Sequence, residues 1–462
     1  MKKITYFFFS ILVLSLAVGC GGGGTSSSGS GGSGSGTSGT GTNGGTSVAG
    51  GNQIVTSGNN VAPLIVDGGL DASSPTANVA YTTVVVCAPG TSNCVTLDHV
   101  MVDTGSVGLR IPASLLSGLN LANVNPSAPV AECYSFISNT YFWGSVRSAD
   151  VKMGGSSNTS EAASSVPIHV IGDPSLSGAP SGCEGSEDDT AFGSNGLLGV
   201  GNYQFDCDVL GVGNPCTSTG TAPPGLYYTC SGANCSTPAV PTAQQVRNPV
   251  SLFATDNNGV ILELPAVASG GQTGIAAGQA GLVFGIGTES NNGLSSSATV
   301  LTLDATESDP AWMGMTTVYN GVSYPNSTAA LGSFLDSGSN GIFFLDQPTS
   351  GITSCGDWYC PNSTESLTAV NQASGGNSRE VAFDVADADT LFSAGSNVAF
   401  SNLAGPNTSG TPGTGTQAAD GYFDWGLSFF YGRNVYTGIW GVTPPGTPVS
   451  GSSVPAGPFW AY

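Results

Sequence analysis

A nine-residue pattern occurs twice in this chain and limits what it can fold into more than anything else. Met101-Val-Asp-Thr-Gly-Ser-Val-Gly-Leu109 lies over Phe334-Leu-Asp-Ser-Gly-Ser-Asn-Gly-Ile342. Both copies read apolar, apolar, Asp, hydroxyl, Gly, Ser, any residue, Gly, aliphatic. Asp followed by Thr or Ser and then Gly occurs nowhere else in the chain. The copies are 233 residues apart, too long a period for a solenoid unit. Two related halves, each contributing one Asp, account for it.

The rest of the chain is consistent with β structure. Charged residues make up 8%, against roughly 25% in ordinary globular proteins, so strong helix formers are scarce. Hydrophobic residues at 39% still allow a sizeable core, and 70 glycines supply turns. From Ile54 onward short apolar runs are cut by Gly, Pro, Asn and Ser. Tyr81–Cys87, Val166–Ile171, Val260–Leu264 and Gly281–Gly285 read as strands. Pro112–Leu121 and Glu365–Gln372 are expected as short helices. With 30 acidic residues against 8 Lys and Arg, the net charge is −22. Such a chain is repelled by phosphate backbones, which excludes nucleic-acid binding.

Residues 1–19 read as an export signal: Lys2 and Lys3, then an apolar run from Ile4 to Val18 too short to span a bilayer comfortably. Ala17-Val18-Gly19-Cys20 resembles the lipobox of bacterial lipoproteins, whose Cys becomes the acylated first residue. Residues 20–51 are then a lipidated Cys20 and a Gly/Ser/Thr tether that cannot bury a core. Gly21 follows Cys20, and by that resemblance the outer membrane is the expected location. An ordinary cleaved signal with an extracellular product is the alternative.

Eleven cysteines are present, ten besides Cys20, an even number in an exported chain. Near neighbours suggest Cys87–Cys94, Cys207–Cys216, Cys230–Cys235 and Cys355–Cys360, which leaves Cys133 with Cys183. Zinc is the competing use of close cysteines. No Cys-x-x-Cys pair exists and His99 and His169 are the only histidines, so no metal or other cofactor is expected.

The repeat has a chemical reading. Peptide hydrolysis needs an activated water and a proton for the leaving nitrogen. Two carboxyl groups sharing one proton supply both. Asp103 and Asp336 are the candidate pair. Thr104 and Ser337 carry hydroxyls able to bond across to the opposite loop. Gly105 and Gly338 leave room for close backbone approach. Ser106 and Ser339 can donate to the carboxylates. A single Asp-Thr-Gly or Asp-Ser-Gly is ordinarily a turn; two copies with matching apolar flanks are far more specific.

These motifs resemble the pepsin-like aspartic peptidase family, and the resemblance covers about Ala62 to Gly441. Asn195–Tyr203 is similar to the family element that threads behind the first Asp loop. Asn248–Phe253 with Val260–Gly285 is similar to the crossover between lobes. Val318–Tyr324 resembles the hairpin before the second Asp strand, and Gly426–Tyr436 the closing segment. A group of secreted bacterial lipoproteins shares these motifs. The resemblance implies an all-β, bilobal fold with two orthogonal β lobes, residues 52–257 and 258–462, and an active-site cleft between them. It also implies a polypeptide substrate, a monomer, and a flap tyrosine, which Tyr141 in Tyr141-Phe-Trp-Gly-Ser145 is placed to be. The chain departs from the family at Arg110, where a Trp is usual, at Asp336-Ser-Gly-Ser-Asn340, and at Asp424-Trp425-Gly426, where two aliphatics precede the Gly.

Other chemistries fit less well. A Ser-His-Asp triad would need His99 or His169, and no Gly-x-Ser-x-Gly elbow exists. Glu184, Glu187, Asp188 and Asp189 could ligate Ca²⁺ but read as a solvated loop. The sequence therefore points to an exported aspartic endopeptidase. The alternative is a non-catalytic polypeptide- or protease-binding surface lipoprotein on the same fold.

Overall fold

The computed structural model describes residues 52–210, 214–218, 225–303, 314–324, 332–393, 395–409, 418–419, 421–442 and 454–462. The export signal, Cys20 and the tether to residue 51 lie outside the described residues.

The apolar runs fold as strands, and helices are short: Ala113–Leu116, Gln347–Ser350, Ala388–Ser393 and Leu427–Phe430. Pro112–Leu121 supplies only the first of these. Glu365–Gln372 is a strand, not the helix expected. It lies between Thr316–Tyr319 and Ser378–Val385, with Ala369 and Asn371 buried at alternate positions. A period of two, with cross-strand partners on both sides, overrides the helix propensity of the segment.

The two copies of the repeat fold alike. Cys94–Asp103 ends in the first Asp loop and Val107–Pro112 leaves it. Between them runs Gly196–Val200, parallel to the entering strand with Asp103 opposite Gly199, and antiparallel to the leaving one. In the second half Phe334–Leu335 enters its loop and Ile342–Phe344 leaves. Phe423–Trp425 runs between them, parallel to the first and antiparallel to the second. Each Asp is thus held by a three-strand clasp. Gly199 and Gly426 are required there: a methyl group on Gly199 would sit 2.6 Å from Val107 N, and one on Gly426 would collide with the Gly341 carbonyl.

A shared sheet ties the halves together. Its strands run in the order Val61–Val66, Ile275–Phe284, Gly259–Glu263, Asn434–Gly438, Phe459–Ala461, Val300–Thr302. One apolar cluster extends from Val100, Val102 and Leu198 in the first half to Leu335, Phe344 and Trp425 in the second. Each such aliphatic, fully buried, contributes about 1.5–3 kcal/mol. The fold is all-β and bilobal, of the pepsin-like kind.

Five disulfides staple it: Cys87–Cys94, Cys133–Cys183, Cys207–Cys216, Cys230–Cys235 and Cys355–Cys360. This is the pairing expected from spacing, and it fits an exported protein. Among the described residues no helix is long and apolar enough to cross a membrane.

Candidate functional site

The two Asp loops meet where the halves join, and their backbones are interlocked by hydroxyls. Thr104 Oγ1 donates to the Leu335 carbonyl at 3.1 Å and accepts from Ser337 N at 2.9 Å. Ser337 Oγ donates to the Val102 carbonyl at 2.8 Å and accepts from Thr104 N at 3.1 Å. All four bonds are buried, which makes each costly to break.

The carboxyl groups are held the same way on both sides. Asp103 Oδ1 accepts from Gly105 N at 2.8 Å and Ser106 N at 3.2 Å, and Ser106 Oγ donates to Oδ2. Asp336 Oδ1 accepts from Gly338 N at 2.8 Å, and Ser339 Oγ donates to Oδ2 at 2.7 Å. The two side chains are within hydrogen-bonding reach of each other. A methyl group built on Gly338 would lie 2.7 Å from Asp103 Oδ1 and 3.1 Å from Asp336 Oδ1, so both oxygens border the same point. Asp103 is 2% exposed and Asp336 0%. Burial, then the charge of Asp103, push Asp336 well above the usual carboxylate range. The arrangement can hold one proton between two acids.

Arg110 is buried behind the first loop. One of its terminal nitrogens, Nη2, is 3.0 Å from Glu132 Oε1 and 3.3 Å from Asp206 Oδ2; the other, Nη1, donates to the Val107 carbonyl at 2.6 Å. His169 Nδ1 is 3.0 Å from Glu132 Oε2, and the Tyr227 hydroxyl donates to Asp206 Oδ1 at 2.6 Å. Burial opposes charge on Glu132, but Arg110 and His169 outweigh it and hold Glu132 below its usual range. Burial and neighbouring Glu132 push Asp206 up.

Tyr141 does not face this site. The hairpin of Val130–Ser135 and Thr140–Met153 sends Tyr141 to its outer face, beside Cys133, Trp143 and Tyr228, with its hydroxyl 3.3 Å from Glu187. Tyr134 points the other way. Its ring lies 3.6 Å beneath the Arg110 guanidinium, and Asp103 is near enough to add to the upward push that burial gives its phenol, against the pull of Arg110. Side chains alternate along a strand, so an error of one in parity reverses the face.

Sequence reading also missed Asn78. Its Nδ2 donates to the carbonyls of Asn340 and Phe400, both at 2.8 Å, bracing the second half against the first. The acidic stretch holds itself: Asp188 accepts from Thr190 N and Phe192 N, and Glu187 takes the Tyr141 hydroxyl. A pocket of 670 Å³ is lined by Gln53, Glu263, Arg379, Arg433 and Tyr436 among others, and by neither Asp loop. Glu263 is the one acid among its lining residues.

Comparison with solved structures finds an aspartic proteinase from Irpex lacteus, 17% identical over 82% of this chain and 93% of that one, with a TM-score of 0.41. Basic 7S globulin from soybean is 11% identical over the same shares, with a TM-score of 0.39. No curated protein matches the chain. The family model described as "Protein of unknown function (DUF3443)" matches residues 56–462, and the chain belongs to that family.

Proposed function

We propose that this protein is an exported aspartic endopeptidase with Asp103 and Asp336 as its catalytic pair. The observation that carries this reading is the pair itself: two carboxyl groups from opposite halves, within reach of each other, each cradled by a Gly N–H and a Ser hydroxyl. In this reading Asp336, pushed up by burial and by Asp103, is the acid, and Asp103 takes the part of the base. A water bound between them gives a proton to Asp103 as its oxygen attacks the scissile carbonyl carbon. Asp336 Oδ1 gives its proton to the carbonyl oxygen. The tetrahedral diol then collapses: one hydroxyl returns its proton to Asp336, and the proton on Asp103 passes to the leaving nitrogen. Polypeptide would lie extended between the lobes, residues 52–257 and 258–462, paired with the hairpin that carries Tyr134. Tyr134, not Tyr141, is the flap tyrosine in this reading.

Cleavage of denatured protein from pH 2 to 8, with and without pepstatin, tests it. Turnover fastest below neutral pH and blocked by pepstatin is expected, with D103N or D336N lowering the rate on the order of 10³-fold or more. No cleavage at any pH, or full activity in D103N, overturns it. The full burial of Asp336 favours a second reading, a polypeptide binder on the same shell; binding of unfolded chains without cleavage would select that one.

We further propose that Cys20 is acylated and anchors a monomer to the outer membrane through the tether, with the polypeptide substrate as its other partner. The mass of the mature N-terminal peptide decides this: an unmodified Cys20 excludes the anchor.

A further inference from the structure

Behind the second loop lies a third acid that the pair does not require. Asp424 is on Phe423–Trp425, opposite Phe334 on one side and Phe343 on the other, and is 3% exposed. Its Oδ2 is 2.7 Å from Ser339 Oγ, the same oxygen that stands 2.7 Å from Asp336 Oδ2. A serine hydroxyl has one proton. It can donate to one of these oxygens, and the other contact, at hydrogen-bond length, then needs a proton from the carboxyl side. At least one of the two acids is therefore neutral.

The surroundings select Asp424. Its Oδ1 has no hydrogen-bond partner. The flanking segments Phe334–Leu335, Ile342–Phe344 and Leu427–Phe430 contain no Lys, Arg or His. The titratable groups that face it are Asp336, through Ser339, and Asp103. A buried carboxylate with a bare oxygen and no cation is far costlier than a neutral acid whose hydroxyl donates. Burial pushes Asp424 well above the usual range, and Asp103 adds to it against the opposing bond from Ser339. Asp336, by contrast, has an N–H donor on its Oδ1.

We propose that Asp424 is a neutral positioning residue that donates through Ser339 to Asp336 Oδ2 and so keeps the exchangeable proton of Asp336 on Oδ1, facing Asp103. The chain runs from the Asp424 hydroxyl to Ser339 Oγ, and from the Ser339 hydroxyl to Asp336 Oδ2. With Oδ2 committed as an acceptor, a neutral Asp336 must carry its proton on the oxygen turned toward the site. The first loop has no counterpart: Leu197 occupies the equivalent place opposite Arg110. The consequence for turnover rests on the peptidase reading; the protonation of Asp424 does not.

The test uses the full chain. Infrared spectra at about pH 6 should show a protonated-carboxyl C=O band that D424N lacks and D103N keeps; coincident wild-type and D424N spectra would overturn the proposal. In cleavage assays D424L should lose about tenfold in kcat with KM little changed. D424N, whose amide can donate to Ser339 as the neutral acid does, should recover most of that loss. Wild-type kcat in D424L would overturn the proposal as well. If D424L does not fold, the D424N spectrum decides alone. A wild-type chain that cleaves nothing defeats the peptidase reading on its own account, and the infrared band still decides whether Asp424 holds its proton.

Discussion

The two Asp loops are nearly superimposable in their bonds and opposite in what lies behind them. Seven residues after Asp103 stands Arg110, paired across the sheet with Leu197; seven after Asp336 stands Phe343, paired with Asp424. The first loop is backed by a fully buried ionic set, Arg110 with Glu132, Asp206 and His169. The second is backed by stacked rings, Phe344 on Phe423 at 5.1 Å and Phe423 on Trp425 at 5.5 Å, with a single acid among them. The two loops share the groups within hydrogen-bonding reach of the carboxylates and differ in the next layer. Each half then solved its own problem of burying polar atoms. The outcome is two similarly bonded loops in unlike fields, a cation behind one and an acid behind the other. That asymmetry sets two chemically equal aspartates in different electrostatic surroundings.

The largest expected effect breaks the ionic side. R110M leaves Glu132 and Asp206 buried without their cation and should cost about 3–5 kcal/mol in urea unfolding with disulfides intact. F343L, at the matching place in the second half, changes volume modestly and should cost about 1.5 kcal/mol or less. Equal losses in the two variants would mean that the two backings carry the same energetic weight, and the contrast would fail. R110M/E132Q/D206N should recover part of the R110M loss, because replacing a whole buried ionic set is gentler than orphaning half of it.

Much of this was legible in the sequence, and the limits are physical. The repeat announced the two loops because each copy supplies the same bonded groups, a Gly N–H and a Ser hydroxyl on its Asp and a hydroxyl that reaches the other loop. Cys133–Cys183 followed from the pairing of near neighbours. Arg110 and Asp424 stood out as departures, yet their partners did not. Glu132, Asp206 and Ser339 are brought to them by strand register, and register is a long-range property. The outward placement of Tyr141 depends on register for the same reason. Glu365–Gln372 read as a helix because its burial depends on two neighbouring strands that sequence does not position.

A smaller effect sharpens the contrast through pH. Glu132 is held down, so its contribution is present above its unfolded value and lost only as pH falls through its lower folded value, in strong acid. Asp336 and Asp424 are pushed up, so theirs is complete below about pH 4 and lost as pH rises. Glu263, 2% exposed in the shared sheet, is pushed up to about 7 by burial, against the Val55 N–H. It acts in the same direction, with up to about 3 kcal/mol lost between pH 4.5 and 7. Melting temperature should therefore fall across that window. E263Q should flatten the fall, and D424N should flatten it further. A melting temperature that holds level or rises from pH 4.5 to 7 would show that these buried acids do not govern stability there.

The smallest effect probes what the two halves share. Thr104 and Ser337 exchange places in the interlock, each accepting one backbone N–H and donating to one backbone carbonyl, at lengths of 2.8–3.1 Å. T104V and S337A each strand one buried N–H and one buried carbonyl, a loss of about 2 kcal/mol. Since the bonds are reciprocal, the two losses should match within about 0.5 kcal/mol despite the unlike layers behind them. The double variant should lose less than their sum, because both act on one network. Urea unfolding of the three variants measures this. If T104V proved much the costlier, the ionic layer behind the first loop would be stiffening its half of the interlock, and the loops could not be treated as energetic equals.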